Sequence, residues 1–275
     1  MELEQFDLKF NFGCASCGYK NKPENAPLGS IPVSRIIDKL DALFSRNDMT
    51  EAGKLLDYWR KEAVSLRDKR GELTIVSEQM GYFRKTGEEE KALESVSRGL
   101  ELIQMLNAAD SVSSATIFLN AATTLKAFGK AEKALPLYAK TQQIYADNLE
   151  ENDLLFAGFY NNYGLALVDL NRYDDAETAY RKALEIVLND PKGRLDGAVT
   201  YLNMAHLYEV WDDKTAADIK LCLKNAKEIL EDESIPKNGY YAFVLSKCAP
   251  TYRHFGKIEI AENMQRLSEE IYERN

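Results

Sequence analysis

The chain has 275 residues, of which 45% are hydrophobic and 29% are charged, as in an ordinary folded protein. Acidic residues outnumber basic ones by 44 to 35, and the formal charge of -9 disfavours nucleic acid or anionic lipid as the main partner. No run approaches the roughly 18 apolar residues that span a membrane, and the acidic start lacks the apolar core of a secretory signal. Four cysteines without such a signal favour a reducing, cytoplasmic location.

Residues 1–32 form an N-terminal segment that differs from the rest of the chain. Apolar side chains alternate with polar ones in its first part, at Phe6, Leu8, Phe10 and Phe12. This period of two predicts a short β-strand, and the prolines and glycine that follow predict an irregular linker. Because an isolated strand exposes unpaired amides, we expect it either to fold back as a hairpin or to pair with a second copy in a homodimer.

Two cysteines of this segment, Cys14 and Cys17, stand in a Cys-x-x-Cys-Gly sequence. The turn resembles a zinc knuckle, but zinc takes four ligands and no second Cys-x-x-Cys follows. Three interpretations stay open: an unliganded turn, a zinc site completed by a second chain or by distant residues, and a redox pair. We expect no other cofactor. Cys222 and Cys248 are expected to be buried as small apolar residues.

From residue 33 to residue 275 the apolar positions recur at helical spacing, and the helices come in pairs about 42 residues apart. The pattern is sharpest between residues 160 and 184. There Gly164 and Ala176 are small where two helices would cross, and the bulky Tyr163 and Tyr180 fill the space on either side. Shifts of 41 or 42 residues carry the pattern along the chain. They predict six helix pairs that begin near residues 33, 73, 115, 157, 198 and 242.

This order of aromatic, small residue, Tyr, Ala and aromatic resembles the tetratricopeptide repeat. The units are longer than the common 34 residues and are similar to the repeats of kinesin light chains. The resemblance implies an all-α fold, a right-handed α-solenoid of six antiparallel helix pairs. It also implies a non-catalytic scaffold whose concave groove binds a protein or peptide segment.

Turn residues support the division into helices. Gly87, Gly129 and Gly256 stand where a helix should end in a left-handed residue. Asp190 followed by Pro191 predicts the start of another helix, with the aspartate as its N-cap.

Signs of catalysis are missing from the sequence. It contains no phosphate-binding loop, no Gly-x-Ser-x-Gly turn and no His-Glu-x-x-His motif. The only two histidines, His206 and His254, are expected to be surface or groove residues. We therefore expect that the chain is not an enzyme.

Three asparagines, Asn120, Asn162 and Asn203, occupy one equivalent position in consecutive units. Asparagine is a poor residue for a helix interior, and its amide can both donate to and accept from a peptide backbone. Similar repeats hold peptide backbones with asparagine at this position. The resemblance therefore implies a ladder of backbone contacts along the concave face.

Neighbouring side chains are expected to form the specificity surface: Leu119, Thr123, Asn161, Leu165, Leu202 and His206, with Lys126 and Arg253 as nearby cations. Chaperone-binding repeats use lysine and arginine to clamp a C-terminal carboxylate. Here those positions hold Leu119, Asn161, Thr123 and Leu165. The expected ligand is therefore an internal, partly apolar segment.

Two other functions stay open. One is a signalling regulator in which a peptide or small effector binds the groove and switches an attached output. Bacterial quorum-sensing regulators resemble this, but they carry a DNA-binding helix-turn-helix ahead of the repeats, for which 32 residues leave no room. The other is a zinc or redox module in the N-terminal segment, carried by a passive scaffold.

Overall fold

The structure is a computed structural model that describes residues 26–274. The predicted strand, Cys14 and Cys17 lie outside the described residues. The zinc, redox and homodimer predictions therefore stay predictions.

Twelve α-helices lie within residues 26–274, and no strand occurs there. They are α1 (Val33–Phe44), α2 (Met49–Ser65), α3 (Lys69–Thr86), α4 (Glu89–Met105), α5 (Val112–Ala127), α6 (Ala131–Asn148), α7 (Leu154–Asp169), α8 (Tyr173–Asn189), α9 (Arg194–Val210), α10 (Ala216–Leu230), α11 (Gly239–His254) and α12 (Ile258–Arg274). The helices form the six predicted pairs, although each pair after the first begins three or four residues earlier than predicted. The all-α solenoid is confirmed.

The pairs stack in two layers. From α3 to α11, each odd-numbered helix contacts its own partner and also the next odd-numbered helix. We call the odd-numbered helices inner and the even-numbered helices outer, because in a solenoid the layer that stacks most closely lines the concave face. Within the described part, no helix is both long and apolar enough to cross a membrane.

Local sequence sets the helix ends. Polar side chains accept a hydrogen bond from a first-turn amide at five helix starts: Asp48, Asp68, Ser111, Asp153 and Asn238. The prediction for Gly87, Gly129 and Gly256 is confirmed, since all three have φ between 72° and 76°. These glycines reverse the chain between an inner helix and its outer partner.

The prediction for Asp190 is wrong. Helix α9 begins at Arg194, and Asp190 instead ends α8. Its carboxylate accepts from the amide of Lys192 at 2.8 Å, so it closes a tight turn around Pro191. Because the carboxylate of Asp190 already binds the amide of Lys192, it does not cap the first turn of α9.

The crossing of α7 and α8 is as close as the sequence predicted. A Cβ added to Gly164 would lie 2.5 Å from Cε1 of Tyr180, closer than any carbon pair tolerates. Ala176 and Tyr180 are fully buried at this crossing.

Because no space remains beside Ala176, the Ala176→Leu variant should overpack the crossing and lose about 1–3 kcal/mol of unfolding free energy. Ala139 is exposed on an outer helix, so Ala139→Leu is the matched control and should shift stability by less than about 0.5 kcal/mol. Thermal melting followed by circular dichroism measures both. An unchanged melting temperature for Ala176→Leu would show that the helix register is wrong.

The last helix pair returns to the first. A Cβ on Gly239, at the start of α11, would lie 2.9 Å from Cβ of Ser45 at the end of α1. The ammonium of Lys85 lies 5.8 Å from the ring centre of Phe44 and 5.7 Å from that of Phe243. The concave face is therefore bordered by the first and last pairs, which contact each other.

Candidate binding site on the concave face

The three predicted asparagines lie half-buried on inner helices, but their amide groups already have partners. Asn120 donates to the hydroxyl of Ser77 at 3.0 Å, and Asn203 donates to Oδ1 of Asn161 at 3.0 Å. Asn162 donates to the carbonyl of Gly158 in its own helix at 2.8 Å. One N–H of each amide is thus engaged inside the chain. No hydrogen bond among residues 26–274 reaches the side-chain oxygens of Asn120, Asn162 and Asn203.

Five of the predicted specificity residues are at least partly accessible, and a sixth is engaged in an ion pair. Thr123, Asn161, Leu165 and His206 are half-buried and border the asparagines, and Arg253 is exposed near the end of α11. Lys126 forms an ion pair with Asp169 of the next inner helix, at 3.4 Å.

Leu119 and Leu202 are corrections to the predicted surface, because they are only 8% and 3% exposed. Each directly precedes an asparagine of the ladder, and successive helical residues point about 100° apart, given 3.6 residues per turn. When the asparagine lies on the concave face, the leucine before it therefore points into the packing between helices. Both leucines belong to the core and offer no surface to a ligand.

Polar side chains link consecutive inner helices along this face. Each link joins residues 42 to 45 apart: Ser77 with Asn120, Lys126 with Asp169, Asn161 with Asn203, Asp196 with Tyr240, His206 with Thr251, and Glu209 with His254. The separation equals one repeat, so equivalent positions lie side by side. The sequence period contained this signal, because side chains one repeat apart face each other on consecutive inner helices.

A cavity of about 690 Å³ lies where the first and last pairs meet, and the sequence did not reveal it. It is lined by four aromatic rings, three cations and two carboxylates: Phe44, Tyr82, Tyr240, Phe243, Arg84, Lys85, Lys247, Asp41 and Glu78. Glu78 lies 42 residues before Asn120, and Gly81 lies 42 before Thr123. The cavity therefore continues the asparagine line onto α3.

The charges in this cavity are not paired with one another. Among the described residues, Arg84, Lys85 and Lys247 form no ion pair, and Nη1 of Arg84 is buried without a hydrogen-bond partner. Burial lowers the pKa of Arg84, and burial followed by the nearby Lys247 lowers the pKa of Lys85. Burial, followed by the nearby Asp41, raises the pKa of Glu78. A bound anion would supply these cations with the hydrogen bonds and the opposite charge that they lack.

The family model described as tetratricopeptide repeat matches residues 157–190, which span most of α7 and α8. This segment is a tetratricopeptide repeat. The predicted resemblance is therefore confirmed, and the other five helix pairs repeat the same architecture. Proteins built from tetratricopeptide repeats are generally protein-interaction scaffolds and are typically non-catalytic.

Solved structures with the same kind of fold include BtubC (BKLC) from P. vanneervenii, with a TM-score of 0.60 and 24% identity over 74% of this chain and 83% of that one. Weaker matches include a Podosopora anserina protein with nearly identical TPR-like repeats of the kinesin light chain type (TM-score 0.45, 12% identity, 71% and 92% coverage). A tetratricopeptide repeat protein from Parabacteroides merdae gives a TM-score of 0.40 at 18% identity, with 87% and 93% coverage. A comparison with curated protein sequences gave no match. The likeness to BtubC supports the tetratricopeptide-type solenoid fold.

Proposed function

We propose that this chain is a non-catalytic scaffold that binds a segment of another protein across its concave face. The observation that supports the proposal is one continuous line of side chains on the inner helices, from the cavity through Asn120 and Asn162 to Asn203. The asparagine side-chain oxygens on this line accept no hydrogen bond from the described part of the chain, and an extended peptide supplies N–H donors. The contacts would hold the backbone of the segment without reading its sequence.

The cavity supplies the specificity in this proposal. Aromatic rings border a space large enough for a bulky side chain. Beside them stand the unpaired cations Arg84, Lys85 and Lys247, which favour a carboxylate. We therefore expect an internal, partly apolar segment in which an apolar residue lies next to an acidic one. A reducing cytoplasm suits this function, since Cys222 and Cys248 are free and buried.

Removing the asparagine ladder tests the proposal. Peptides selected from a random phage-display library on the full chain provide the probe, and calorimetry measures their affinity. The triple variant Asn120→Ala, Asn162→Ala, Asn203→Ala should weaken binding by roughly a hundredfold, since each hydrogen bond contributes about 0.5–1.5 kcal/mol.

Three asparagines on outer helices, Asn148, Asn189 and Asn263, provide the matched control. Two of them donate to the carbonyl four residues earlier, as Asn162 does. Replacing all three with alanine should leave affinity unchanged. If a well-folded ladder variant bound the peptide as tightly as this control does, the three asparagines of the ladder would not contribute to binding.

A second candidate function is a regulator that senses a small effector, and the half-open cavity favours it. Its volume falls in the range of small-molecule sites, and its cations suit an anionic, aromatic ligand. Aromatic carboxylates that raise the melting temperature of the full chain, but not of a Gly81→Phe variant, would support this function. The asparagine ladder separates the two functions: an effector confined to the cavity should raise the melting temperature of the Asn120→Ala, Asn162→Ala, Asn203→Ala variant as much as that of the full chain.

For the N-terminal segment, zinc binding and homodimer formation stay proposals. Elemental analysis of the purified chain with and without Cys14→Ser tests zinc binding at Cys14 and Cys17. Light scattering of the chain with and without residues 1–30 tests the homodimer. An unchanged number of chains per particle after the deletion argues against pairing through the strand.

A further inference from the structure

The fold brings together the only two histidines of the chain, although they are 48 residues apart. His206 lies on α9 and His254 on the neighbouring inner helix α11, with ring centres 5.2 Å apart. Glu209 lies one helical turn after His206. Its oxygens are 2.7 and 2.9 Å from Nε2 of His254, and one of them is 3.6 Å from Nδ1 of His206. Two imidazoles and one carboxylate thus converge between the fifth and sixth pairs.

From this cluster we infer a divalent transition-metal site formed by His206, Glu209 and His254. One ligand atom from each residue lies within 4.8 Å of the other two. Ligand atoms about 2.1 Å from a tetrahedral zinc are about 3.4 Å apart, so a small inward rotation of the side chains completes the geometry. Imidazole nitrogen selects zinc and similar transition metals over Mg²⁺ and Ca²⁺.

A neighbouring hydroxyl prepares His206 for this role. Nε2 of His206 lies 3.1 Å from Oγ1 of Thr251 on α11. When this nitrogen carries the proton and donates to the hydroxyl, Nδ1 keeps its lone pair and faces Glu209. This is the outer contact that metal-binding histidines commonly have. It orients the ring, and the hydroxyl can accept from the tautomer that leaves Nδ1 free to bind the ion.

The site is open to the groove. Glu209 and His254 are both exposed, so an ion can enter without moving the backbone. Three protein ligands leave a fourth position for water or for a side chain of a bound partner. The bound ion would also tie α9 to α11, which would stabilise the last helix pair.

Because the chain has only two histidines, their Hε1 ring protons give two separate NMR signals, which metal binding elsewhere on the chain leaves unchanged. Titrating the full, tag-free chain with Zn²⁺ should shift both signals and complete the change at one equivalent. Binding at Cys14 and Cys17 alone would leave both histidine signals in place. Unmoved histidine signals in excess Zn²⁺ would overturn the inference.

Variants sharpen this test. Loss of even an outer partner of a metal ligand costs ~10–100-fold in affinity, so Glu209→Gln should weaken Zn²⁺ binding by at least about tenfold. His254→Ala should abolish the rise in melting temperature that Zn²⁺ gives by binding the folded state. Glu228→Gln, on an exposed outer-helix ion pair with Lys224, should change neither result. Equal Zn²⁺ affinity for Glu209→Gln and Glu228→Gln would contradict the site, even if His254→Ala failed to fold.

Discussion

Replacing Arg98 with methionine should lower the free energy of unfolding by about 3–5 kcal/mol, because it leaves a buried carboxylate without its cation. The carboxylate belongs to Glu72 on α3, which is 4% exposed. The guanidinium of Arg98 on α4 donates two parallel hydrogen bonds to this carboxylate, Nε to Oε1 at 2.7 Å and Nη2 to Oε2 at 2.9 Å. The Glu72 carboxylate, followed by Glu101, raises the pKa of Arg98, so the guanidinium stays charged.

Urea denaturation of two further variants separates this pair from an ordinary ion pair. The double variant Glu72→Gln, Arg98→Met removes both charges and should cost clearly less than Arg98→Met alone. Arg266 pairs with Glu270 on the surface, so Arg266→Met should cost less than about 1 kcal/mol. An Arg98→Met variant as stable as Arg266→Met would show that the Glu72 carboxylate does not depend on its partner.

Tyr180→Ala should cost about 3–5 kcal/mol, because it removes a ring that fills the crossing of α7 and α8. The ring is fully buried beside Gly164, and no neighbour can fill the space without moving a helix. The hydroxyl behaves differently, since it is buried without a hydrogen-bond partner among residues 26–274. Tyr180→Phe should therefore leave stability unchanged or raise it.

Tyr252 gives the matched control for the hydroxyl. It is also almost fully buried, but its hydroxyl donates to the carbonyl of Leu223 at 2.7 Å. Tyr252→Phe should therefore lose about 0.5–1.5 kcal/mol in the same denaturation experiment. Equal losses in Tyr180→Phe and Tyr252→Phe would show that the hydroxyl of Tyr180 has a partner.

The helix pairs could be predicted because each one repeats a local pattern. Gly164, Ala176 and Tyr180 mark a close crossing by their sizes alone, and their copies at one repeat distance mark the next crossings. The same periodicity placed the asparagines on the inner helices. It did not distinguish Leu119 and Leu202 from true surface residues, because a change of one position along a helix decides between core and groove.

The contacts between the ends of the array could not be predicted in this way. Curvature in a repeat protein accumulates from a small rotation per repeat, so the meeting of the first and last pairs depends on the whole array. The cavity lined by Phe44, Arg84 and Phe243 follows from that meeting. The proximity of His206 to His254 was also missed, because the connection between α10 and α11 is long and shifts the last pair out of the regular period.

Two glycines on the concave face allow the central claim to be tested without disturbing the fold. Gly81 lines the cavity, and Gly158 is the residue whose carbonyl accepts from Asn162. A Cβ added to either would meet no atom within 4 Å. Glycine is also a poor helix former, so a side chain at these positions should not lower the melting temperature. Phenylalanine at both positions would obstruct the face while keeping the helices intact.

The most direct measurement compares the affinity of a selected peptide for the full chain, for the Gly81→Phe, Gly158→Phe variant, and for Ala139→Phe on an outer helix. If the concave face is the binding site, the double variant should lose at least about 1.4 kcal/mol, a tenfold weakening, while its melting temperature is kept or raised. Ala139→Phe should bind like the unmodified chain. Equal affinity of the double variant and the unmodified chain would contradict binding on the concave face.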